Sequence, residues 1–229
     1  MTIQVTWLSH SGFQVQIGDH KLLIDPFLTG NPLATASPDT IEADFILLSH
    51  GHGDHVGDTP AIAKRTGATV VANNEVAGWL QATQGVENVH TLNPGGGVAL
   101  PFGWVELTIA HHSSSLPDGS YGGQPNGILI LTTEGKNIYH AGDTAVFLDM
   151  QLIGERNIDL AMLPIGDYFT MGIDGSLKAI EFVKPKAVIP MHYNTFDPIA
   201  QDVVEWAQRV NNETAAKPVV LDPGGSFQL

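Results

Sequence analysis

Apolar and polar residues alternate at the start of the chain, in Ile3-Gln4-Val5-Thr6-Trp7 and again in Phe13-Gln14-Val15-Gln16-Ile17. A period of two sends successive side chains to opposite faces, so both runs read as half-buried β-strands. A further run at 21–24 lies across Gly18-Asp19 from the second and predicts a tight hairpin. Short β-branched or apolar runs bounded by Gly, Pro, Asn or Asp complete the predicted strand set: 3–8, 13–17, 21–24, 45–48, 69–72, 105–110, 127–132, 136–140, 160–163, 187–190 and 219–221. Between the later runs the spacing lengthens to that of helices. These are expected at 60–66 with Thr59 as N-cap, 75–81 after Asn74, 176–183 after Asp174, and 198–210 after Asp197.

An antiparallel opening followed by alternating strands and helices predicts an α/β domain over 1–229, sheet packed on sheet with helices on the outer faces. No linker divides the chain, and no repeat or low-complexity tract interrupts it. The longest irregular stretches are 27–42 and 113–126. The second directly follows a histidine pair and is read as a lip over a substrate site.

With 43% hydrophobic and 15% charged residues among 229, a disordered or fibrous chain is excluded. Ten Lys plus Arg against 24 Asp plus Glu leave a net charge of −14, which repels phosphate backbones and anionic membranes. The expected partner is a small-molecule substrate, with neither nucleic acid nor membrane; a homo-oligomer is compatible with the composition. Residues 1–8 carry no Lys or Arg and no long apolar core, so no signal peptide is expected. No apolar run approaches the roughly 18 residues of a membrane-spanning helix. There is no cysteine, which fits a reducing cytoplasm and leaves imidazole and carboxylate as metal ligands. The ten histidines, as many as all Lys and Arg together, are clustered.

The densest cluster is His50-Gly51-His52-Gly53-Asp54-His55, which follows the strand at 45–48. Neutral imidazole is a common metal ligand, and glycines at 51 and 53 would let the backbone fold sharply so that alternate rings converge. His50 and His52 could share one cation, while Asp54 and His55 hold a second. Asp25, His111, His112, Asp143 and His192 each lie at or just beyond the end of a predicted strand, where rigid elements present ligands to a shared cleft. Taken singly, Asp25 before Pro26 also reads as a turn residue, Asp143 before Thr144 as a helix cap, and His192 as a core histidine.

Together, the His50–His55 cluster, a later His, Ala141-Gly142-Asp143-Thr144 and a final His192 resemble the metallo-β-lactamase superfamily. Trp7-Leu8-Ser9-His10-Ser11 and Pro190-Met191-His192-Tyr193-Asn194-Thr195-Phe196 are similar to its prokaryotic branch of metal-dependent hydrolases related to ascorbate-phosphate lactonase. The resemblance implies a four-layer αββα sandwich with mixed sheets and two divalent metals at its edge. It assigns His50, His52 and one of His111 or His112 to the first metal, Asp54, His55 and His192 to the second, and Asp143 to both. The branch pattern favours His112 as the ligand, leaving His111 to support a ligand or face substrate. Asp25 would support the histidine loop. His10, in a segment that carries Ser9 where the branch has Gly, receives no firm role, and His140 fits either the branch or the core. His20 and His90 are given no function.

The implied chemistry is hydrolysis of an ester, lactone or related bond by a hydroxide shared between the metals, with Asp54 orienting it and accepting its proton. Zn is expected first and Mn second, with Fe or Ni compatible. No Lys or Arg lies in a ligand-bearing loop, which favours a neutral substrate over a phosphorylated one. The alternatives are a phosphodiesterase or nuclease on the same fold, and a non-catalytic metal-binding protein. Tyr168, Phe169 and Met171 could form an apolar wall for substrate or simply pack.

Overall fold

The computed structural model describes residues 3–229; Met1 and Thr2, the first residues of the stretch read for a signal peptide, lie outside them. The alternating segments at the start form β1 (Ile3–Ser9), β2 (Gly12–Ile17) and β3 (His20–Ile24). The hairpin turns at Gly18-Asp19 with Ile17 opposite His20, as the pattern predicts. Next come β4 (Phe45–Leu47), α1 (Gly53–Val56), α2 (Thr59–Thr66), β5 (Thr69–Asn73), α3 (Asn74–Gln84) and β6 (Val89–Leu92). The second half contains β7 (Gly97–Leu100), β8 (Gly103–Ile109), β9 (Asn126–Thr132), β10 (Asn137–His140), α4 (Met150–Gly154), β11 (Leu160–Pro164), α5 (Ile173–Val183) and β12 (Ala187–Met191). A 3₁₀ turn (Asp197–Ile199), α6 (Val203–Glu213), β13 (Lys217–Pro218) and β14 (Ser226–Gln228) complete it.

The strands make two seven-stranded sheets, ordered β14-β1-β2-β3-β4-β5-β6 and β13-β12-β11-β10-β9-β8-β7. Each is antiparallel at one end and parallel at the other, because β3 through β6 and β10 through β13 run in parallel. Period-two alternation sorts the first sheet's residues between two cores. Leu22, Ile24, Leu47 and Val71 face the second sheet, whereas Leu23, Ile46, Leu48, Val70 and Ala72 pack with Ile62, Val76 and Leu80 of α2 and α3. On the far side, α6 is anchored by the fully buried Trp206, whose indole N–H donates to Ser176 Oγ on α5 at 2.9 Å. Deleting a side chain of this size from a close-packed interior costs about 3–5 kcal/mol.

Several sequence expectations are corrected. No strand forms at 219–221; the two-residue β13 at 217–218 lies just before it. The half-exposed edge strands β6 and β7, the closing strand β14 and the short helices α1 and α4 were not predicted. Helix starts shift as well. Asp58 rather than Thr59 precedes α2, Asn73 rather than Asn74 caps α3 by accepting from Val76 N–H, and Gly172 rather than Asp174 precedes α5. The helix expected at 198–210 is split: Pro198 sits in the 3₁₀ turn, and α6 starts afresh where Asp202 accepts from the amides of Val204 and Glu205.

Candidate metal centre

Strand direction explains why residues so far apart in sequence meet. The strands β1, β3, β4, β8, β10 and β12 point the same way within their sheets, and the donors follow their carboxyl ends: His10, Asp25, the His50–His55 segment, His112, Asp143 and His192. Open α/β sheets bind ligands at that edge. Leaving the strands demands sharp bends, and Ser9, His10, Asp25, His192 and Asn194 all have positive φ. Each such bend costs about 1–2 kcal/mol for a residue with a Cβ. Hydrogen bonds hold them. The His10 carbonyl accepts from both Trp7 Nε1 at 2.9 Å and the His192 amide at 3.0 Å, which stitches β1 to β12.

Three groups of donors converge: His50, His52 and His112; His50, His55 and Asp143; and His10, Asp54, His55 and His192, with the donor atoms of each group within 4.8 Å of one another. In the first, His50 Nε2 and His52 Nδ1 face each other at 2.9 Å, and the His112 ring lies edge-on to both at 5.1 Å. Asp143 joins the groups. Its Oδ2 is 3.0 Å from His192 Nε2, 3.3 Å from His55 Nε2 and 3.6 Å from His112 Nε2. In the third group Asp54 Oδ2 lies 3.1 Å from His10 Nε2 and 3.9 Å from both His55 Nε2 and His192 Nε2.

Asp25 sits beneath this layer. Its Oδ2 meets His55 Nδ1 at 2.8 Å and also accepts from Ser49 Oγ, while Oδ1 accepts the Ser49 amide at 2.8 Å. Ser49 Oγ in turn lies 2.9 Å from His50 Nδ1. With both Nδ1 atoms engaged, both Nε2 atoms turn toward the cleft, the orientation that ligating imidazoles require. Asp25 was anticipated in this place; Ser49, although adjacent to His50, was not. His140 proves structural: its Nε2 donates to the Ser11 carbonyl at 2.9 Å and its Nδ1 accepts the Gly142 amide at 3.2 Å. That bond fixes the turn into Asp143. Gly142 has φ 62°, and a Cβ there would meet the Asn126 carbonyl oxygen at 2.6 Å, so the turn requires glycine.

The histidine pair, which lies just beyond β8, divides as the branch pattern implies. His112 enters the cluster, while His111 is exposed with its ring on Phe147 at 4.9 Å. His10 is the donor that the sequence reading left without a firm role. Two expectations about the loops are revised. Neither Gly51 nor Gly53 needs positive φ, and Asp54 and His55 ride on α1 instead of a bare loop. Gly51 is instead closely packed: a Cβ would press on Leu116 Cδ2 and the Ser115 carbonyl oxygen, each at 3.2 Å, and they would have to give by a few tenths of an ångström. The stretch 113–126 is thus fastened to the histidine segment, with Ser114 Oγ accepting the Gly51 amide at 3.0 Å and donating to the Gly122 carbonyl. Met171 is buried in the core and forms no wall, whereas Tyr168 and Phe169 are exposed.

The electrostatics fit a cation. Despite burial, Asp143 is held well below the usual carboxylate range by His192 and His55. Burial also opposes a charge on His55, yet Asp143, Asp54 and Asp25 raise it well above the usual imidazole range. His50 is driven well below that range by burial and by His55. His55 Nε2 and Asp143 Oδ1 are buried with no hydrogen-bond partner among the described residues, an arrangement that is costly unless something else satisfies them. Oxygen and nitrogen donors suit a divalent metal.

Only neutral imidazole ligates, so a cation taken up at His55 would have to displace the proton that Asp143, Asp54 and Asp25 favour there. Loading the metal-free protein with Zn²⁺ at pH 7.5, where a free imidazole near pKa 6.5 is already neutral, should therefore release about one proton per chain from His55. Calorimetry in buffers of different ionisation enthalpy measures it. The release should shrink in Asp25→Asn, which removes one of the charges holding the proton; equal release in both proteins would contradict the assignment.

Known proteins resemble this chain over nearly its whole length. Residues 4–192 match the β-lactamase superfamily domain. A UPF0173 metal-dependent hydrolase of Shouchella clausii is 54% identical over 99% of this chain and 100% of its own length. The chain belongs to the β-lactamase superfamily. Another such relative, from Thermus thermophilus, is 47% identical over 99% of both chains. Among solved structures, the superfamily fold is matched by Igni18, a metallo hydrolase from Ignicoccus hospitalis, with TM-score 0.90, 37% identity and coverage of 100% of this chain and 99% of that one. Its two mixed sheets with flanking helices are the superfamily architecture expected from the motifs.

Proposed function

We propose that this protein is a dinuclear metal-dependent hydrolase of a neutral ester, lactone or related bond. His50, His52 and His112 would hold one cation, Asp54, His55 and His192 the other, with Asp143 between them. When bound, the cations supply Lewis acidity and lower the pKa of a water toward about 7. The observation carrying this reading is Asp143: a buried carboxylate with histidines of both groups around one oxygen and no partner for the other among the described residues.

The chain's own residues do the rest. Ser49 and Asp25 aim the His50 and His55 rings, and Asp143 holds the two groups in register. Asp54 is the carboxylate placed to exchange a proton with solvent, while His55 and His10 hold its carboxyl well below the usual range against the effect of burial. Its side chain is 34% exposed, against 0% for Asp25 and 3% for Asp143, so it alone of these carboxylates can exchange protons with the cleft. Ser113 Oγ, 3.5 Å from His52 Nε2, and the fastened stretch behind it border the same opening.

Charge narrows the substrate. The ion-pair partners of Asp25, Asp54 and Asp143 are all histidines, while Arg65, Arg156 and Arg209 are committed to Glu42, Glu106 and the Asp174–Glu213 pair elsewhere. An anionic substrate would meet no guanidinium clamp here and a net charge of −14 overall. The test is a panel of lactones, aryl esters, thioesters and phosphodiesters on Zn- and Mn-loaded protein. Turnover of neutral esters or lactones supports the reading; turnover confined to phosphodiesters replaces it with the phosphodiesterase, and inert protein carrying two metals with a metal-binding one.

A further inference from the structure

We infer that His10, pinned by Thr195, is a positioning residue that holds Asp54 in place through a hydrogen bond from Nε2. The inference rests on the proposed reading in one respect, that Asp54, His55 and His192 receive a cation.

His10 is built in on every side. It is fully buried at the end of β1, its carbonyl receives two hydrogen bonds, and its ring lies against His192 at 4.0 Å, Phe27 at 5.7 Å and Phe196 at 5.9 Å. One rotamer places each ring nitrogen opposite a single partner: Nδ1 at 2.9 Å from Thr195 Oγ1, and Nε2 at 3.1 Å from Asp54 Oδ2.

The partners settle where the proton sits. A carboxylate oxygen only accepts, so Nε2 must carry hydrogen toward Asp54, and Nδ1 of the neutral ring is then an acceptor. Thr195 supplies the donor. Its hydroxyl has one competing acceptor, the Tyr193 carbonyl, at a much longer 3.5 Å, so the geometry favours donation to His10. The chain Thr195 O–H to His10 Nδ1, and His10 Nε2–H to Asp54 Oδ2, runs in one direction across residues 185 positions apart.

This direction also decides between two roles for His10. As a ligand it would turn a lone pair on Nε2 toward the cation, the opposite tautomer from the one that the Asp54 carboxylate calls for and the Thr195 hydroxyl can complement. As a donor it fixes Asp54, whose aspect to His55 and His192 is otherwise set only by the short helix α1. Asp54 is the partly exposed carboxylate of the centre and the one with most freedom to swing, so a fixed donor behind it defines where its oxygens lie.

The test measures cation binding by calorimetry and metal analysis alongside kinetics in wild type, His10→Ala, His10→Gln and Thr195→Val. Gln can place an amide N–H near the position of Nε2. His10→Ala is expected to keep two cations at saturation but to bind the weaker one about 10- to 100-fold less tightly, as losses of groups that orient a ligand do. It should lower kcat more than it raises KM. His10→Gln should recover most of both losses, and Thr195→Val should show a smaller loss of the same kind. A His10→Ala protein with wild-type affinity and kcat but a lower melting temperature would reduce His10 to packing. One cation at saturation would make it a ligand. Either result overturns the inference, and a wild-type protein that takes up no second cation removes the reading beneath it as well.

Discussion

Replacing Asp143 by Ala should reduce metal content from two cations per chain to one or none and lower kcat/KM by about 1,000-fold or more, near 4 kcal/mol of lost transition-state stabilisation. The size follows from position. Asp143 Oδ2 is within 3.0–3.6 Å of His192, His55 and His112, so removing it breaks both donor groups at once and leaves buried imidazoles without their common anion. Asp143→Asn separates charge from shape: it refills the volume behind Gly142 but accepts only through one oxygen, and should recover melting temperature without recovering the cations. Metal analysis and steady-state kinetics on purified variants check this. Two cations and a normal rate in Asp143→Ala would show that Asp143 does not lie between the metals.

Asp54→Ala should lose turnover just as completely while retaining one cation. Among the described residues no hydrogen bond or ion pair joins His50, His52 or His112 to Asp54, so that group should stay loaded. The third group loses its carboxylate, and the centre loses its most exposed one. Single-turnover measurements with the best substrate of the panel separate this from slow product release: the chemical step itself should fall. An Asp54→Ala protein with unchanged kcat would remove Asp54 from any proton-transfer role.

The donor set was legible because it is written locally. His50, His52, Asp54 and His55 lie within six residues, and Asp25, Asp143 and His192 follow unmistakable apolar runs that became β3, β10 and β12. What the sequence hid depends on contacts made across it. Thr195 matters only because it meets His10, and Ser49 only because Asp25 turns back beneath it at φ 44°. The edge strands β6 and β7 carry half-exposed residues without a clean alternation, so no period marks them. Helix starts were misplaced by one or two residues wherever several Asx or Gly residues adjoin, as at Asn73-Asn74 and Gly172-Ile173-Asp174, since each can end an extended segment.

The pairing of β14 with β1 bears on how the molecule assembles. Trp7 exchanges backbone hydrogen bonds with Gly224 and Gly225, and the 226–228 strand lies along Gln4, Val5 and Thr6. The strand that leads into His10 is therefore flanked on one side by residues synthesised more than 200 positions later. Contacts of such sequence separation close long loops and form slowly. During synthesis the hairpin of β1, β2 and β3 can form early, but its outer edge stays uncovered until residues 226–228 arrive, and the donors of the second sheet arrive late as well. A cation held by donors from both sheets, as proposed, would recognise the finished fold and no earlier intermediate, so its uptake would close folding and hold the native state by mass action.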